Sequence, residues 1–195
     1  MKKIILCSLC LCLLCACQSA KEEKHTSASH CDDTKETCGI EILDMKDYED
    51  FEDEEHMFIE SNMKEVISFF KNKEDKIVYF GYPRCPWCRD ALPVMNDCAK
   101  AQGKSIYYVK TKDEEEKFLY NKEEKAELFT YIGDVLEEND EGEKHLFVPF
   151  VIVIKDGKLE SSHLGTLDEH DATKEKMTDE QVKELHAIYQ DMFKK

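Results

Sequence analysis

Short apolar runs alternate with longer polar stretches along the chain, and these runs have the composition of buried strands. They are rich in β-branched and aromatic residues, and they lie at residues 56–60, 77–80, 106–109 and 147–154. Asp156-Gly157 follows the last run and is typical of a tight turn, which predicts a hairpin that returns through residues 158–165. The pattern therefore predicts a sheet.

Apolar residues at helical spacing lie between these runs. A first helix is predicted up to Lys71, with Ser61 or Asn62 as its cap. A second is predicted from about residue 86 to Gln102, because Gly103 favours a helix end. A last helix is predicted from Thr178 to Phe193, with acidic residues in its first turn.

The stretch 113–143 is rich in charge and is predicted to form one or two amphipathic helices. Its apolar residues recur at helical spacing: Phe118, Leu128, Phe129, Ile132, Val135 and Leu136. The whole order then becomes β-α-β-α-β-α-β-β-α, which indicates an α/β fold.

The N-terminus has the pattern of an export signal. Lys2 and Lys3 precede an apolar stretch of 13 residues, 4–16, which is short for a membrane span. It ends in Leu14-Cys15-Ala16-Cys17, which resembles a bacterial lipobox. We therefore expect a lipoprotein signal peptide at 1–16 and a lipid, palmitate included, on Cys17. An uncleaved anchor or an ordinary signal peptide is the alternative.

An acylated Cys17 would hold the protein on the outer face of a bacterial cell membrane. Residues 17–39 are mostly polar and are predicted to be a tether, and residues 40–195 are predicted to be the folded domain.

The net charge of the chain is −16, from 43 acidic and 27 basic residues. Such a surface repels phosphate backbones, which argues against nucleic-acid binding. Solubility alone explains the acidity, and an attraction to cationic peptides is compatible with it.

Ten cysteines are present, and four of them, at positions 7, 10, 12 and 15, lie in the predicted signal peptide. With Cys17 lipidated, five remain, and an odd number in an exported protein predicts at least one free thiol. Cys31 and Cys38 are expected to form a structural disulfide. Unpaired or partner-bound thiols are alternatives, as is a metal site with nearby histidines, although one cysteine pair is weak support for a metal. Cys98 is predicted to be a buried, inert thiol; a third exchanging thiol is the alternative.

Cys85 and Cys88 carry the clearest chemical signal. They follow the strand at 77–80 and stand where a helix should begin, with Pro86 at a position that needs no backbone N–H. A thiol at a helix N-terminus is stabilised as thiolate, and the flanking Arg84 and Arg89 are expected to act in the same direction. Two intervening residues allow the sulfurs to meet, so we predict a redox pair. A structural disulfide or half of a zinc site is the alternative.

Three separated motifs resemble those of the thioredoxin superfamily. They are Cys85-Pro86-Trp87-Cys88 after a strand, Pro93 five residues later, and Val148-Pro149 before the strand at 150–154. The resemblance covers about residues 57–193. The stretch from Tyr79 to Arg89 is most similar to the lipoprotein thioredoxin-like and bacteriocin-transport-accessory proteins of Gram-positive bacteria.

This resemblance implies a thioredoxin-like fold: a central mixed β-sheet flanked by helices, here with an enlarged helical insertion before the strand that follows a cis-proline. It implies that Cys85 is the nucleophile and Cys88 the resolving thiol. Pro149 would be cis, and with Val148 it would contact an extended substrate. No cofactor or metal beyond the redox-active disulfide is implied. We expect Trp87 to cover the thiols or contact substrate; a plain surface aromatic is the alternative.

One departure from the resemblance concerns Tyr79. Thioredoxins carry a buried aspartate six residues before the first cysteine, and this chain carries Tyr79 there. Loss of that base, together with Arg84 and Arg89, predicts a low Cys85 pKa and a couple more oxidising than thioredoxin. Tyr82, Tyr107 and Tyr108 are not expected to shuttle protons.

The leading functional hypothesis is a membrane-anchored extracytoplasmic thiol–disulfide oxidoreductase. It would oxidise, isomerise or reduce disulfides of exported proteins or peptides, and a redox partner would reset its cysteine pair. The alternative is a non-catalytic accessory or docking module for a peptide exporter of the bacteriocin type. A reductant for haem or cytochrome maturation would need a membrane electron donor. A peroxidase is the weakest hypothesis, because the sequence shows no peroxide-pocket signature.

Overall fold

A computed structural model describes residues 43–194 of the chain. The predicted signal peptide 1–16, the tether 17–39 and the cysteines Cys17, Cys31 and Cys38 lie outside the described residues.

Five strands form one mixed sheet in the order β1-β3-β2-β4-β5. The strands are β1 (Phe58–Ser61), β2 (Lys76–Gly81), β3 (Ile106–Lys110), β4 (Phe150–Lys155) and β5 (Lys158–Leu164). β3 runs parallel to β1 and β2, whereas β4 is antiparallel to β2 and β5. β2 lies in the middle and is buried from Ile77 to Gly81, which agrees with its continuous apolar sequence.

Four helices cover the two faces of this sheet. They are α1 (Met63–Lys71), α2 (Pro86–Gln102), α3 (Lys122–Ile132) and α4 (Asp179–Phe193). Alternate residues of β2 point to opposite faces, as strand geometry requires. Tyr79 joins the core under α2 and α4, and Val78 and Phe80 join the core under α1 and α3.

The helix ends follow the capping signals in the sequence. Asn62 caps α1 by accepting a hydrogen bond from the Glu65 backbone N–H. Gly103 ends α2 in a left-handed conformation with a φ of 60°. Thr178 begins α4 in a reciprocal capping box with Gln181.

The stretch 113–143 contains one α-helix, α3, followed by a short 3₁₀ turn at Gly133–Val135. Phe118, whose spacing assigned it to a helix, instead lies in a loop. The Asp113 carboxylate explains this difference, because it accepts hydrogen bonds from the backbone N–H groups of Glu115 and Lys117 and so closes a local turn. The helix begins only after Asn121, which forms a capping box with Glu124.

This arrangement is α/β, a thioredoxin-like fold with helices on both faces of a mixed sheet. The predicted fold class and the predicted order of elements are therefore confirmed. The enlarged insertion before β4 is also present, although only part of it is helical.

Candidate active site

Cys85 lies at the junction of β2 and α2, where its sulfur caps the helix. Its Sγ accepts a hydrogen bond from the Cys88 backbone N–H at 3.3 Å, and its own N–H donates to the Tyr82 carbonyl at 3.1 Å. Pro86 occupies the first turn, as the sequence predicts, and Pro93 lies inside the same helix. The N-terminus of α2 is thus directed at the Cys85 sulfur, a position that favours a negative charge there.

The two thiols of the pair have opposite acidities. The pKa of Cys85 is lowered, first by a hydrogen bond from the Cys88 thiol and then by the N–H groups of Cys88 and Trp87. Burial raises the pKa of Cys88 well above the ordinary value, and the hydrogen bond to Cys85 adds to this effect. Cys85 therefore ionises first and is suited to attack, while Cys88 is held back as the thiol.

The positive charge of Lys112 also lowers the pKa of Cys85, by less than the hydrogen bonds do. Lys112 Nζ lies 4.9 Å from the centre of the Tyr82 ring. The two arginines that the sequence suggested are engaged elsewhere. Arg84 donates to the Glu114 carbonyl at 2.7 Å, and Arg89 pairs with Glu49 and Asp50 at 3.2 and 3.1 Å.

The peptide bond between Val148 and Pro149 is cis, as the resemblance implied. The Cys85 thiol donates to the Val148 carbonyl, with the sulfur 3.6 Å from the oxygen. The Pro149 carbonyl accepts from the Gly165 N–H at 2.8 Å. Val148 and Pro149 are thus brought to the cysteine pair from a position more than sixty residues away.

Trp87 is half-buried, and its indole N–H donates to the His170 carbonyl at 3.2 Å. The ring packs against the core under α2 rather than standing free at the surface. Its contact with substrate stays a prediction.

A buried polar cluster lies below Trp87 and was not found from the sequence. The Asp90 carboxylate accepts from Lys176 Nζ at 2.8 Å and lies 3.4 Å from Nε2 of His170. That Nε2 also lies 3.0 Å from the Glu175 carbonyl, so it faces two acceptors and carries the proton. Nδ1 lies 2.7 Å from the Thr166 hydroxyl oxygen. The segment between β5 and α4 is thereby tied to the helix that carries the thiols.

Three buried tyrosine hydroxyls form a chain that begins at Cys88. The Tyr79 hydroxyl lowers the pKa of the Cys88 thiol against the larger effect of burial. Tyr79 Oη lies 3.3 Å from Tyr48 Oη, and Tyr48 donates to Tyr108 Oη at 3.1 Å. Burial raises the pKa of all three phenols, so each remains protonated at neutral pH.

The expectation that Tyr82, Tyr107 and Tyr108 do not shuttle protons stays a prediction. Tyr108 and Tyr48 border a cavity of about 230 Å³, which Asp47 and Lys110 also line. The buried hydroxyls therefore lead from the neighbourhood of Cys88 to this cavity.

Cys98 is separate from this site. It is buried, its thiol donates to the His186 carbonyl at 3.3 Å, and burial raises its pKa to about 11. This environment agrees with the prediction of a buried and unreactive thiol.

Within residues 43–194, no group of histidines, cysteines and carboxylates is placed to hold a metal ion. Over the same residues, none of the helices has both the length and the apolar character needed to cross a membrane.

No protein-family model matches the chain, and no curated protein matches it either. Among solved structures, it is similar to mitochondrial thioredoxin 3 from Saccharomyces cerevisiae, with 14% identity, a TM-score of 0.35, and coverage of 59% of this chain and 86% of that one. It is similar to thioredoxin from Plasmodium falciparum, with 19% identity, a TM-score of 0.34, and coverage of 65% and 90%. It is also similar to desulfothioredoxin from Desulfovibrio vulgaris Hildenborough, with 23% identity, a TM-score of 0.34, and coverage of 63% and 88%.

Proposed function

We propose that this protein is a thiol–disulfide oxidoreductase that is lipid-anchored outside the bacterial cell membrane and acts on exported proteins or peptides. One observation carries the chemistry. The Cys85 sulfur caps α2, and it lies 3.6 Å from the carbonyl that precedes the cis-proline. Disulfide exchange with a peptide requires a thiol of low pKa, and it is helped by a backbone carbonyl beside that thiol.

As an oxidant, the pair begins as a Cys85–Cys88 disulfide. A substrate thiolate attacks Cys85 Sγ, the bond between the two cysteines breaks, and Cys88 leaves as a thiolate that takes up a proton. A second substrate thiolate attacks the substrate sulfur of the mixed disulfide, and Cys85 leaves as a thiolate. The substrate loses two electrons and gains a disulfide, and the pair is reduced.

As a reductant, the same steps run backwards. The Cys85 thiolate attacks a substrate disulfide, and Cys88 then attacks Cys85 and releases the second substrate thiol. A low Cys85 pKa stabilises the dithiol form and so favours the oxidising direction. A separate redox partner would reset the pair after each cycle.

The proposed location rests on the sequence of the N-terminus. Lys2, Lys3 and the apolar stretch 4–16 favour export, and Cys17 is placed for acylation. Residues 17–39 would then separate the lipid from the folded part of the chain.

Equilibration of the full chain with glutathione buffers tests this function. A Cys85–Cys88 potential between about −120 and −180 mV would support oxidation or isomerisation outside the cell. A potential near about −270 mV would support a reductant instead. Cys85→Ser should abolish exchange with any disulfide, and a wild-type chain that exchanges with none would contradict the proposal. Export of a cysteine-free peptide that persists in Cys85→Ser would favour the docking-module alternative.

A further inference from the structure

An exposed cluster of rings lies on the loops around the reactive thiol. We define this aromatic patch as Tyr82, Phe118, His145 and Phe147. His145 lies 6.4 Å from Phe118 and 4.6 Å from Phe147, measured between ring centres. Lys112 Nζ lies 4.9 Å from the Tyr82 ring centre and 5.4 Å from that of Phe118, so the lysine connects Tyr82 to the other rings of the patch. Phe118 is 49% exposed and Phe147 is 37% exposed.

Single exposed apolar side chains are common on proteins, but rings in mutual contact form a surface with a capacity to bind. This patch is continuous with the proposed active site. Phe147 directly precedes Val148, whose carbonyl accepts from Cys85, and the Tyr82 carbonyl accepts from the Cys85 N–H. A polypeptide that reacts at Cys85 would therefore extend over these rings.

The two loops that carry the patch are strongly acidic. Residues 113–116 contain four carboxylates and residues 137–143 contain five, against three lysines in the same loops, Lys112, Lys117 and Lys144. Within residues 43–194, five of these carboxylates are exposed and make no ion pair: Glu116, Glu137, Asp140, Glu141 and Glu143. The charge of Glu116 reaches Tyr82 and contributes to the raised pKa of that phenol, after the larger effect of burial. Negative charge thus surrounds the rings and comes close to the thiol.

We propose that the aromatic patch and its acidic rim bind the substrate segment beside the reacting cysteine, and that this segment is cationic and carries aromatic or large aliphatic residues. This inference rests on the proposed function and adds a substrate class to it. The apolar side chains would bury surface on the rings, at about 25 cal/mol per Å². Lysine or arginine side chains would pair with the rim and stack on ring faces.

The same charges disfavour other occupants of the patch. A second copy of this chain carries a net charge of −16 and would repel the rim. Anionic lipid head groups and nucleic-acid phosphates would be repelled for the same reason. A cationic polypeptide is the partner that complements both the rings and the rim.

Single-turnover kinetics with the reduced full chain test this proposal. Three synthetic peptides contain the same cysteine disulfide and differ only in the residues beside it. The first carries lysine and phenylalanine there, the second glutamate and phenylalanine, and the third lysine and serine. Hydroxyethyl disulfide, which is small and neutral, serves as the reference substrate. The chain is the reductant in every reaction, and each peptide yields two thiols as Cys85 and Cys88 join.

We expect the lysine–phenylalanine peptide to react about tenfold faster than the glutamate–phenylalanine peptide at low salt, a modest value for steering by charge. About 1 M salt should remove this difference, because charges are then screened beyond about 3 Å. The lysine–serine peptide should fall between the two.

Variants of the patch and the rim separate the two contributions. Phe118→Ser with Phe147→Ser should slow both phenylalanine peptides several-fold and leave hydroxyethyl disulfide unchanged. Glu116→Gln with Glu143→Gln should reduce the preference for lysine. The control variant, Glu160→Gln with Glu184→Gln, removes the same amount of charge from exposed positions on β5 and α4. It should leave the preference for lysine unchanged.

Equal rates for all three peptides in the wild-type chain would overturn the docking proposal and leave the proposed function standing, provided that hydroxyethyl disulfide is reduced. If the pair is too oxidising to reduce the four substrates, the oxidised chain is tested with the dithiol forms of the same peptides, and the same order of rates is expected. Failure to exchange in either direction would overturn the proposed function itself. The peptide comparison needs no variant, so it holds even if a substitution unfolds the chain.

Discussion

The hydroxyl of Tyr79 on β2 acts on the thiol of Cys88 on α2, lowering the pKa of that thiol against the larger effect of burial. The contact brings a neutral donor to the resolving thiol, and Tyr48 and Tyr108 extend it towards the surface. A phenol with a raised pKa donates a hydrogen bond at neutral pH but does not carry a negative charge. It therefore stabilises the Cys88 thiolate, which a buried carboxylate beside it would oppose.

Tyr79→Phe removes only this hydroxyl. We expect the pKa of Cys88 to rise, because its thiolate loses a donor, and we expect slower closure of the mixed disulfide near neutral pH. The measurement is the closure rate against pH, with Cys85 first linked to a small thiol. The profile should move to higher pH in the variant.

Tyr107→Phe is the matched control, because Tyr107 also lies in the sheet but its hydroxyl contacts Lys76 instead. Its closure profile should match that of the wild type. An unshifted profile in Tyr79→Phe would show that the hydroxyl has no influence on Cys88.

Gly81→Ala tests the space that Tyr79 occupies. A Cβ at position 81 would overlap the Tyr79 hydroxyl, so the ring must move from its place beside Cys88. We expect a loss of about 1–3 kcal/mol in unfolding free energy, the usual effect of overpacking in a core. Chemical denaturation measures it. Gly133→Ala is the control. The φ of Gly133 is −59°, and a Cβ added there would meet no other atom, so the unfolding free energy of this variant should stay the same or rise slightly.

The pH dependence of Cys85 alkylation tests the electrostatics of the pair. Because the thiolate is the reactive form and its pKa is lowered, the rate should reach half its maximum below pH 9.0, the ordinary thiol value. Lys112→Gln removes a positive charge that favours the thiolate, so the midpoint should rise by a fraction of a pH unit. Arg84→Gln should move the midpoint less, since its guanidinium extends to the Glu114 carbonyl. A larger rise in the midpoint for Arg84→Gln than for Lys112→Gln would show that Arg84 is the cation with the greater effect on the Cys85 pKa.

Asp90→Asn tests the polar cluster beneath Trp87. The neutral amide keeps the shape but loses the charge that Lys176 and His170 face. We expect a loss of about 1–3 kcal/mol in unfolding free energy, typical of a disturbed buried polar contact. Trp87 is the only tryptophan, so its fluorescence reports whether the indole leaves the His170 carbonyl. Asp97→Asn, an exposed change on the same helix, should affect neither reading.

Cys17→Ala tests the proposed anchor. If Cys17 carries the lipid, this variant should lose palmitate labelling and should not be processed to the lipidated form. Labelling of the protein in bacteria, followed by membrane fractionation, provides the measurement. Cys31→Ala should keep both the label and the membrane location, and a labelled Cys17→Ala chain would contradict the prediction.

Local sequence patterns were sufficient for the elements and for the pair itself. Cys85 and Cys88 follow a continuous apolar strand, and Pro86 and Gly103 mark the two ends of their helix. Each of these signals acts within a few residues, so periodicity and capping rules reveal it. Pro149 was found through a resemblance, because nothing local to it points to the thiols.

The remaining features of the site depend on contacts between distant segments. Tyr48 comes from an irregular stretch before β1 and reaches Tyr79 only once the chain has folded. Lys112 follows β3, and no spacing relates it to Cys85. Arg84 is next to Cys85 in sequence, yet its long side chain extends to another loop. Neighbouring position in the chain therefore did not determine which cation acts on the thiol.

The close approach of Tyr79 to Gly81 links the amino acids allowed at the two positions. Gly81 is required here for the room that it leaves and not for its backbone conformation. A shorter acid such as aspartate at position 79 would not extend over position 81, and the need for glycine would then disappear. Among relatives of this chain, the two positions should therefore co-vary: tyrosine at the first should be accompanied by glycine at the second, and aspartate should permit larger residues there.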